Sequence, residues 1–105
     1  MTINPLRLEF HVLALKEYRG LDPSIKNQFK RKLVKLCKRQ ESPSPRNAVN
    51  GMPRGYFKIK LRKSGFRLVY KYQETKLVIH VISVGKRERN IVYDVARLRQ
   101  EQPSE

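Results

Sequence analysis

The stretch from Tyr56 to Tyr72, YFKIKLRKSGFRLVYKY, decides the fold of this chain. Apolar and basic side chains alternate on both sides of Ser64-Gly65, and a period of two is typical of β-strands with one buried face. Ser64-Gly65 therefore predicts a β-hairpin with a two-residue loop. One face would carry Phe57, Ile59, Leu61, Phe66, Leu68, Tyr70 and Tyr72. The other face would carry Lys58, Lys60, Arg62, Arg67, Val69 and Lys71.

A two-residue loop also predicts which residues lie opposite each other across the hairpin. The predicted pairs are Leu61 with Leu68, Ile59 with Tyr70, Arg62 with Arg67, Lys58 with Lys71, and Lys60 with Val69. Like charges directly opposite each other destabilise a sheet, so this register gathers positive charge that an anion would neutralise. A solvated outer face of a basic protein explains the same alternation, and spacing alone leaves both interpretations open.

The net charge of the chain indicates a polyanionic partner. There are 24 lysines and arginines against 9 acidic residues, a formal net charge of +15 on 105 residues. Such a charge favours association with polyanions, nucleic acid first, and then the ribosome, an acidic protein or an anionic membrane surface. The length suits a single domain, residues 1–105, and the polar end from about residue 101 to 105 is predicted to be a disordered tail.

Several classes of chemistry have no support in the sequence. Cys37 is the single cysteine, so no intrachain disulfide can form, and no Cys/His cluster has zinc-site spacing. Neither a glycine-rich phosphate loop nor a GxSxG motif is present, and we expect no cofactor and no metal. With no signal-like N-terminus and no apolar run of membrane-spanning length, we expect a cytoplasmic protein without a membrane partner.

The remaining sequence predicts the elements around the hairpin. They are a strand at Pro5–His11, helices at Val12–Leu21 and from Pro23 to about Gln40, a loop at Glu41–Pro53, a strand at Leu77–Val84 and a helix at Asn90–Gln100. The order βααβββα predicts an α+β fold, in which a helical hairpin packs on a mostly antiparallel four-stranded sheet and a C-terminal helix follows. We expect the apolar face of the β-hairpin to lie under the helices and its cationic face to be left open.

Two further features of these elements stay open to interpretation. The second helix is basic on every side except its apolar stripe, which suits either a solvated surface or one that contacts phosphates. His80, inside an apolar strand, is expected to be a half-buried structural side chain rather than a catalytic one.

The lysines, arginines and tyrosines suit one reaction, the cleavage of RNA by attack of the 2′-hydroxyl on the adjacent phosphate. The attacking oxygen must lose a proton, the phosphorane must be stabilised, and the leaving 5′-oxygen must gain a proton. Guanidinium groups stabilise the developing charge. A lysine among other cations has its neutral form favoured and can transfer protons, and a tyrosine can stack on a base.

Two motifs, GMPRGYFKIKLRKSGFRLVYKY at 51–72 and VISVGKRERNIVY at 81–93, resemble the RelE family of toxin–antitoxin toxins. The segment LEFHVLALKEYRGLDPSIKNQFKRKL at 8–33 fits the strand and helical hairpin of that family, so the resemblance spans residues 6 to about 100. It implies a RelE-like fold and a metal-independent mRNA interferase that cuts mRNA in the ribosomal A site. The expected products are a 2′,3′-cyclic phosphate and a 5′-hydroxyl. The expected partners are the ribosome, mRNA and a cognate antitoxin, with operator DNA bound only through the antitoxin complex.

The resemblance also implies roles for individual residues. Lys60 would transfer a proton, Lys58 would support phosphate binding, and Arg67 would hold the scissile phosphate. Arg87 would stabilise the transition state or assist the leaving oxygen, and Tyr93 would stack on a codon base and help orient the 2′-hydroxyl. Further contacts to the RNA backbone are expected from Arg62, Lys86 and Arg89.

Two other functions remain open at this point. A ParE-like toxin that poisons DNA gyrase would share the fold, but such toxins as a rule lack the combination of Lys60, Arg67, Arg87 and Tyr93. A non-catalytic basic module that binds RNA or the ribosome would share the charge without cutting the strand.

Overall fold

The computed structural model describes residues 7–39, 43–73, 78–86 and 91–100. Its elements are β1 Arg7–Phe10, α1 Val12–Arg19, α2 Pro23–Arg39, β2 Tyr56–Leu61, β3 Phe66–Gln73, β4 Val78–Lys86 and α3 Ile91–Gln100, with a 3₁₀ turn at Pro45–Asn47 before β2. The strands lie in the order β1-β4-β3-β2, with β1 parallel to β4 and the other neighbours antiparallel. The predicted α+β fold with its mostly antiparallel four-stranded sheet is therefore confirmed.

Helix α1 begins at a capping histidine and ends at a glycine, and α2 begins at a proline. The His11 Nδ1 atom accepts a hydrogen bond from the Leu13 N–H (3.1 Å) at the start of α1. At the other end, the Gly20 N–H donates to the Lys16 carbonyl, and α1 stops one turn before α2 begins at Pro23. Proline suits a first helical position because its missing N–H would have no partner there. Among the helices that the structure describes, none is long and apolar enough to span a membrane.

The register of the β2–β3 hairpin differs from the prediction by two residues. Leu61 pairs with Phe66, so the loop has four residues, 62–65. The Leu61 carbonyl accepts from the Gly65 N–H (2.9 Å), and Gly65 has a positive φ of 77° that suits glycine. A shift of two keeps every side chain on its predicted face. It does change the partners across the strands, so the predicted like-charge pairs Arg62–Arg67 and Lys58–Lys71 are wrong.

The first face of the sheet, which α1 and α2 cover, holds the larger apolar core. Phe29 and Leu33 of α2 are 0% and 1% exposed, and Leu68 of β3 is 0% exposed. Buried residues of this core also include Ala14, Ile59, Leu61, Tyr70, Ile79, Val81 and Val84. The apolar face of the hairpin thus lies under the helices, as predicted, and Cys37 packs against the same core.

The second face, which was expected to be open, is partly covered by α3. A smaller apolar cluster forms there from Val49, Tyr56, Val69, Ile82, Val92 and Ala96. The buried Ser83 hydroxyl of β4 donates a 2.7 Å hydrogen bond to the Val92 carbonyl and so connects α3 to β4. The expectation of an open cationic face holds only in part: Lys60 is exposed, but Val69 interrupts the charges and supplies an apolar contact for α3.

Several expectations fall outside the described residues. Arg87 and Arg89 lie in the segment 87–90 between β4 and α3, and the predicted tail lies beyond residue 100. β4 itself continues to Lys86, two residues farther than the apolar run suggested.

Candidate active site

Three residues that pair across β2, β3 and β4 form a row at one end of the second face. Two of them are cationic and the third is a glycine. Lys60 of β2 lies directly opposite Arg67 of β3, and Arg67 lies opposite Gly85 of β4. Residues that pair across antiparallel strands project from the same face. The corrected register therefore leaves one like-charge pair in the hairpin, and it joins two of the predicted catalytic residues. We call it the Lys60–Arg67 row.

Arg67 is buried without a full set of hydrogen-bond partners. Only 7% of the residue is exposed, yet its Nε atom has no partner among the residues that the structure describes. Its Nη1 donates to the Phe66 carbonyl at 3.1 Å, which holds the guanidinium against the backbone of β3. Arginines are almost never fully buried unless paired, and a buried polar atom without a partner is costly. Both properties suit an arginine that completes its hydrogen bonds on an anion.

Lys60 differs from Arg67 in its accessibility. It is exposed at the open side of the row. Lys58, one pleat away on the same face, lies opposite Val69 and is half-buried. Arg62 is exposed in the hairpin loop. The row is thus a buried guanidinium with an accessible ammonium group beside it.

Lys86 does not join this row. It pairs with Phe66, whose ring packs on the first core, and its Nζ lies 5.6 Å from the centre of that ring. Pairing with Phe66 directs Lys86 to the first face. A cation over an aromatic ring is a favourable contact in its own right.

Tyr93 stands near the start of α3, one residue after Val92. It is half-buried and packs against the apolar cluster of the second face. A Cβ atom placed on Gly85 would lie 3.9 Å from the Val92 Cβ, so the end of the row that Gly85 occupies borders the start of α3. Arg87, the remaining predicted catalytic residue, is outside the described ranges, and its role stays a prediction.

A half-buried ion pair, for which the sequence offers no signal, joins elements around the site. The Arg99 guanidinium of α3 donates to both Glu17 carboxylate oxygens of α1, each at 2.8 Å. Arg99 Nη1 also donates to the Ile82 carbonyl (2.9 Å), and Glu17 Oε1 accepts from the Val84 N–H (3.1 Å). We call this arrangement the Glu17–Arg99 clasp.

The clasp lies at the edge of β4 where pairing with β1 has stopped. The last β1–β4 pair is Phe10 with Val81, so the backbone groups of Ile82 and Val84 lie beyond the end of β1. Arg99 and Glu17 bind the backbone carbonyl of Ile82 and the N–H of Val84, which a longer β1 would otherwise bind. The sequence offers no signal for this pair, because the partners are 82 residues apart and depend on where β1 ends.

Other titratable groups are less suited to catalysis. Burial raises the pKa of Tyr70 and of Tyr56, so both phenols stay protonated near neutral pH. Burial also raises the pKa of the Cys37 thiol, which disfavours the reactive thiolate. Within the described ranges, no three His, Cys, Asp or Glu side chains are grouped so that they could hold a metal ion.

Comparisons with known proteins agree on one group of toxins. A family model described as the ParE toxin of the type II toxin–antitoxin system parDE matches residues 8–91. The mRNA interferase toxin RelE of Escherichia coli K12 is 51% identical over 90 residues, which cover 85% of this chain and 90% of that protein.

Solved structures give the same result. An E. coli RelE toxin with two arginines mutated to alanine, in the free state, has a TM-score of 0.79 and 43% identity, with 90% of this chain and 97% of that chain covered. The toxin in the intact E. coli RelBE toxin–antitoxin complex has a TM-score of 0.70 and 48% identity, with 80% of this chain and 99% of that chain covered.

Proposed function

The chain belongs to the RelE family of type II toxins, and from this we propose that it is an mRNA interferase that cuts mRNA on the ribosome. The observation that carries the proposal is the Lys60–Arg67 row. In it a buried guanidinium, whose Nε has no hydrogen-bond partner among the described residues, lies directly opposite an exposed lysine. The relatives that are named mRNA interferases are 51% identical to this chain over 90% of their own length.

Arg67 is proposed to bind the scissile phosphate and to stabilise the phosphorane. As the 2′-oxygen attacks phosphorus, negative charge develops on the phosphoryl oxygens. A guanidinium already fixed by its bond to the Phe66 carbonyl needs little reorganisation to meet that charge. Its burial excludes water, which strengthens the interaction.

Lys60 is proposed to transfer a proton beside that phosphate. The reaction forms the bond from the 2′-oxygen to phosphorus and breaks the bond from phosphorus to the 5′-oxygen. The 2′-oxygen loses a proton and the 5′-oxygen gains one, so the products are a 2′,3′-cyclic phosphate and a 5′-hydroxyl. Lys60 is exposed to the RNA and lies opposite Arg67, which suits a group that exchanges a proton with the reacting atoms.

The other proposed roles surround this pair. Tyr93 would stack on a codon base; it follows Val92, which borders the Gly85 end of the row. Arg87 would stabilise the transition state, and Arg89 would contact RNA; these two roles come from the sequence motif alone. Lys58 would bind phosphate from the same face of β2 as Lys60.

We further propose a cognate antitoxin as the protein partner. The E. coli relative has been solved in complex with its antitoxin RelB and with a RelB peptide. A net charge of +15 suits an acidic segment of such a partner. Operator DNA would then be bound only through the toxin–antitoxin complex, and the toxin would act in the cytoplasm, where ribosomes translate.

The test is cleavage of mRNA on programmed ribosomes by the purified protein and its Arg67→Gln variant. We expect one cut in the A-site codon by the wild type and a loss of about 10²–10³ in kcat/KM for the variant, the usual cost of one oxyanion-stabilising donor. Arg19→Gln, which removes an equal charge from an exposed position on α1, is the control and should stay within about twofold of the wild type.

Other outcomes would contradict the proposal. Equal activity of the two variants would remove Arg67 from the site. Binding to ribosomes without strand scission would favour the non-catalytic module, and inhibition of gyrase supercoiling without mRNA cleavage would favour a ParE-like toxin. Thermal unfolding of both variants, followed by circular dichroism, separates lost chemistry from lost fold.

A further inference from the structure

The segment 48–53, between the 3₁₀ turn and β2, lies against the second face of the sheet. Its Val49 is 7% exposed and belongs to the apolar cluster of that face, and Met52 is half-buried against the same cluster. The Val49 N–H donates to the Tyr56 carbonyl at 3.0 Å, which joins the segment to the start of β2. Both this segment and α3 therefore pack on one apolar cluster.

Arg97 of α3 connects the helix to this segment. Its Nη2 donates to the Asn50 carbonyl at 3.2 Å, and its Nη1 donates to Asp94 Oδ1 at 2.8 Å. Gly51 has a positive φ of 81°, and a Cβ atom placed on it would lie 3.1 Å from Arg97 Nη2. Glycine therefore allows both the backbone turn and the close approach of the guanidinium. We call the contact between Arg97 and the Asn50 carbonyl the Arg97 bridge.

The side of α3 that carries Arg97 also carries Tyr93. The two residues are four positions apart, so they are neighbours on the helix surface. Tyr93 and Met52 pack against the same cluster, and the Arg97 bridge holds the helix of one to the segment of the other. This cluster adjoins the candidate active site, because its Val69 is two residues from Arg67 on β3 and lies on the same face.

Two simpler roles explain the Arg97 bridge less well. One is stabilisation of the surface, but the Arg97 side chain is 42% exposed, and exposed ion pairs contribute little to folding. The other is a direct contact with an RNA phosphate, but the guanidinium already binds the Asp94 carboxylate, which neutralises its charge. A role in holding two elements in a defined geometry uses both contacts of the guanidinium.

We propose that Arg97 is a positioning residue, which holds the segment 48–53 to α3 so that Tyr93 and Met52 form two sides of a binding site for a codon base. The identification of the ligand as a nucleobase rests on the proposed function. A tyrosine ring stacks on the face of a base, and a methionine thioether is a polarisable apolar group that makes favourable contacts with aromatic rings. A base held there would keep its ribose and the adjoining phosphate in place at the Lys60–Arg67 row.

The test compares Arg97→Gln and Arg97→Lys in the cleavage of mRNA on programmed ribosomes. The first substitution removes the bridge and the charge, whereas the second keeps the charge but lacks the forked guanidinium that reaches two acceptors at once. If Arg97 positions the site, kcat falls in both variants by about 10- to 100-fold, as expected when reacting groups are slightly misplaced. KM for ribosomes stays within about twofold of the wild type, because the loss concerns the geometry of the reaction and not binding.

Two further variants show through which residues the effect travels. Gly51→Ala places a methyl group against Arg97 Nη2 from the other side of the bridge, and its loss of kcat should not add to that of Arg97→Gln. In a Tyr93→Ala protein, Arg97→Gln should lower kcat by at most about twofold further, since the side chain that it positions is absent. Arg19→Gln, an equal loss of charge on α1, is the control, and circular dichroism checks that every variant keeps the fold.

Three results would overturn the inference. The first is a kcat of Arg97→Gln within about twofold of the wild type. The second is wild-type activity of Arg97→Lys, or a raised KM at retained kcat, either of which would assign Arg97 to a charge contact with RNA. The third is the full loss of kcat on adding Arg97→Gln to Tyr93→Ala, which would show that Arg97 acts elsewhere. A wild type that does not cut mRNA on ribosomes would instead refute the proposed function.

Discussion

The two faces of the sheet are built on different principles. The first face buries a continuous apolar core under α1 and α2, in which Phe29, Leu33 and Leu68 are at most 1% exposed. The second face buries a smaller cluster under α3 and joins it to polar contacts, such as the Ser83 hydroxyl on the Val92 carbonyl. The same face carries Lys60 and the buried Arg67 at one end.

This difference separates stability from chemistry. Apolar burial stabilises in proportion to the area removed from water and needs no particular partner. The buried Arg67 guanidinium, whose Nε has no partner within the described ranges, costs stability that a bound anion would restore. The first face therefore supports a charged arrangement on the second that could not form a stable core by itself.

The largest expected effect comes from a cavity on the first face. Phe29→Ala removes a fully buried ring from α2 and should lower the free energy of unfolding by about 3–5 kcal/mol. The activity per folded molecule should stay unchanged, since Phe29 lies on the face opposite the row. Urea unfolding and the ribosome cleavage assay on the folded fraction measure the two quantities.

Val92→Ala is the corresponding, smaller truncation of a buried side chain on the second face. It should cost less stability, about 1–3 kcal/mol. It should nevertheless lower kcat/KM, because Val92 borders Gly85 and precedes Tyr93. The comparison between the faces fails if Phe29→Ala lowers the activity of the folded fraction as much as Val92→Ala does.

An intermediate effect is expected at the Glu17–Arg99 clasp, which joins the helices of the two faces around the edge of β4. Arg99→Gln leaves the Glu17 carboxylate without its partner and removes a donor to the Ile82 carbonyl. The Arg99 side chain is only 10% exposed. The free energy of unfolding should therefore fall by about 1.5–3 kcal/mol, the usual range for hydrogen bonds to charged groups. Urea unfolding provides the measurement.

An exposed ion pair on the same helix is the control for the clasp. Asp94 and Arg97 lie 2.8 Å apart but are 61% and 42% exposed, and Asp94→Asn should cost at most about 0.5 kcal/mol. A double-mutant cycle on Glu17→Gln and Arg99→Gln should show a coupling of at least about 0.5 kcal/mol. Additive losses would mean that the two side chains act independently.

Much of the first face could be predicted from sequence, because a period of two in β2 and β3 specifies which side chains are buried. The pairing register of β2 and β3 could not be predicted, because Ser64-Gly65 suits a two-residue loop as well as the four-residue loop observed. The choice depends on the Gly65 N–H bond to the Leu61 carbonyl. The error left the faces intact but hid the direct opposition of Lys60 and Arg67.

The second face was less accessible to sequence reasoning. The helix at α3 was predicted, but its docking site was not, because a short amphipathic pattern does not say which surface it covers. Val69 lies among the cations in the strand pattern, and nothing in that pattern indicates that α3 packs against it. The clasp depends on β1 ending at Phe10, which only the three-dimensional arrangement reveals.

The smallest effect concerns pH and lies at the other end of the second face, where Glu9, His80 and Lys71 form a row. Burial lowers the pKa of His80, and its neighbours His11 and Lys71 lower it further, while the Glu9 carboxylate opposes the shift. When the pH falls below about 6.5, the usual histidine value, the unfolded chain takes up a proton at this position before the folded protein does. The free energy of unfolding therefore decreases as the pH is lowered through this range.

His80→Gln should reduce that pH dependence between pH 5 and 7, with a residual contribution from His11, whose pKa is also lowered by burial. Glu9→Gln should do the opposite, because removing the carboxylate 3.8 Å from His80 Nδ1 removes the interaction that favours the charged imidazole. Urea unfolding of the three proteins at several pH values measures both slopes. A pH dependence that is the same in all three would show that His80 is protonated as readily in the folded protein as in the unfolded chain.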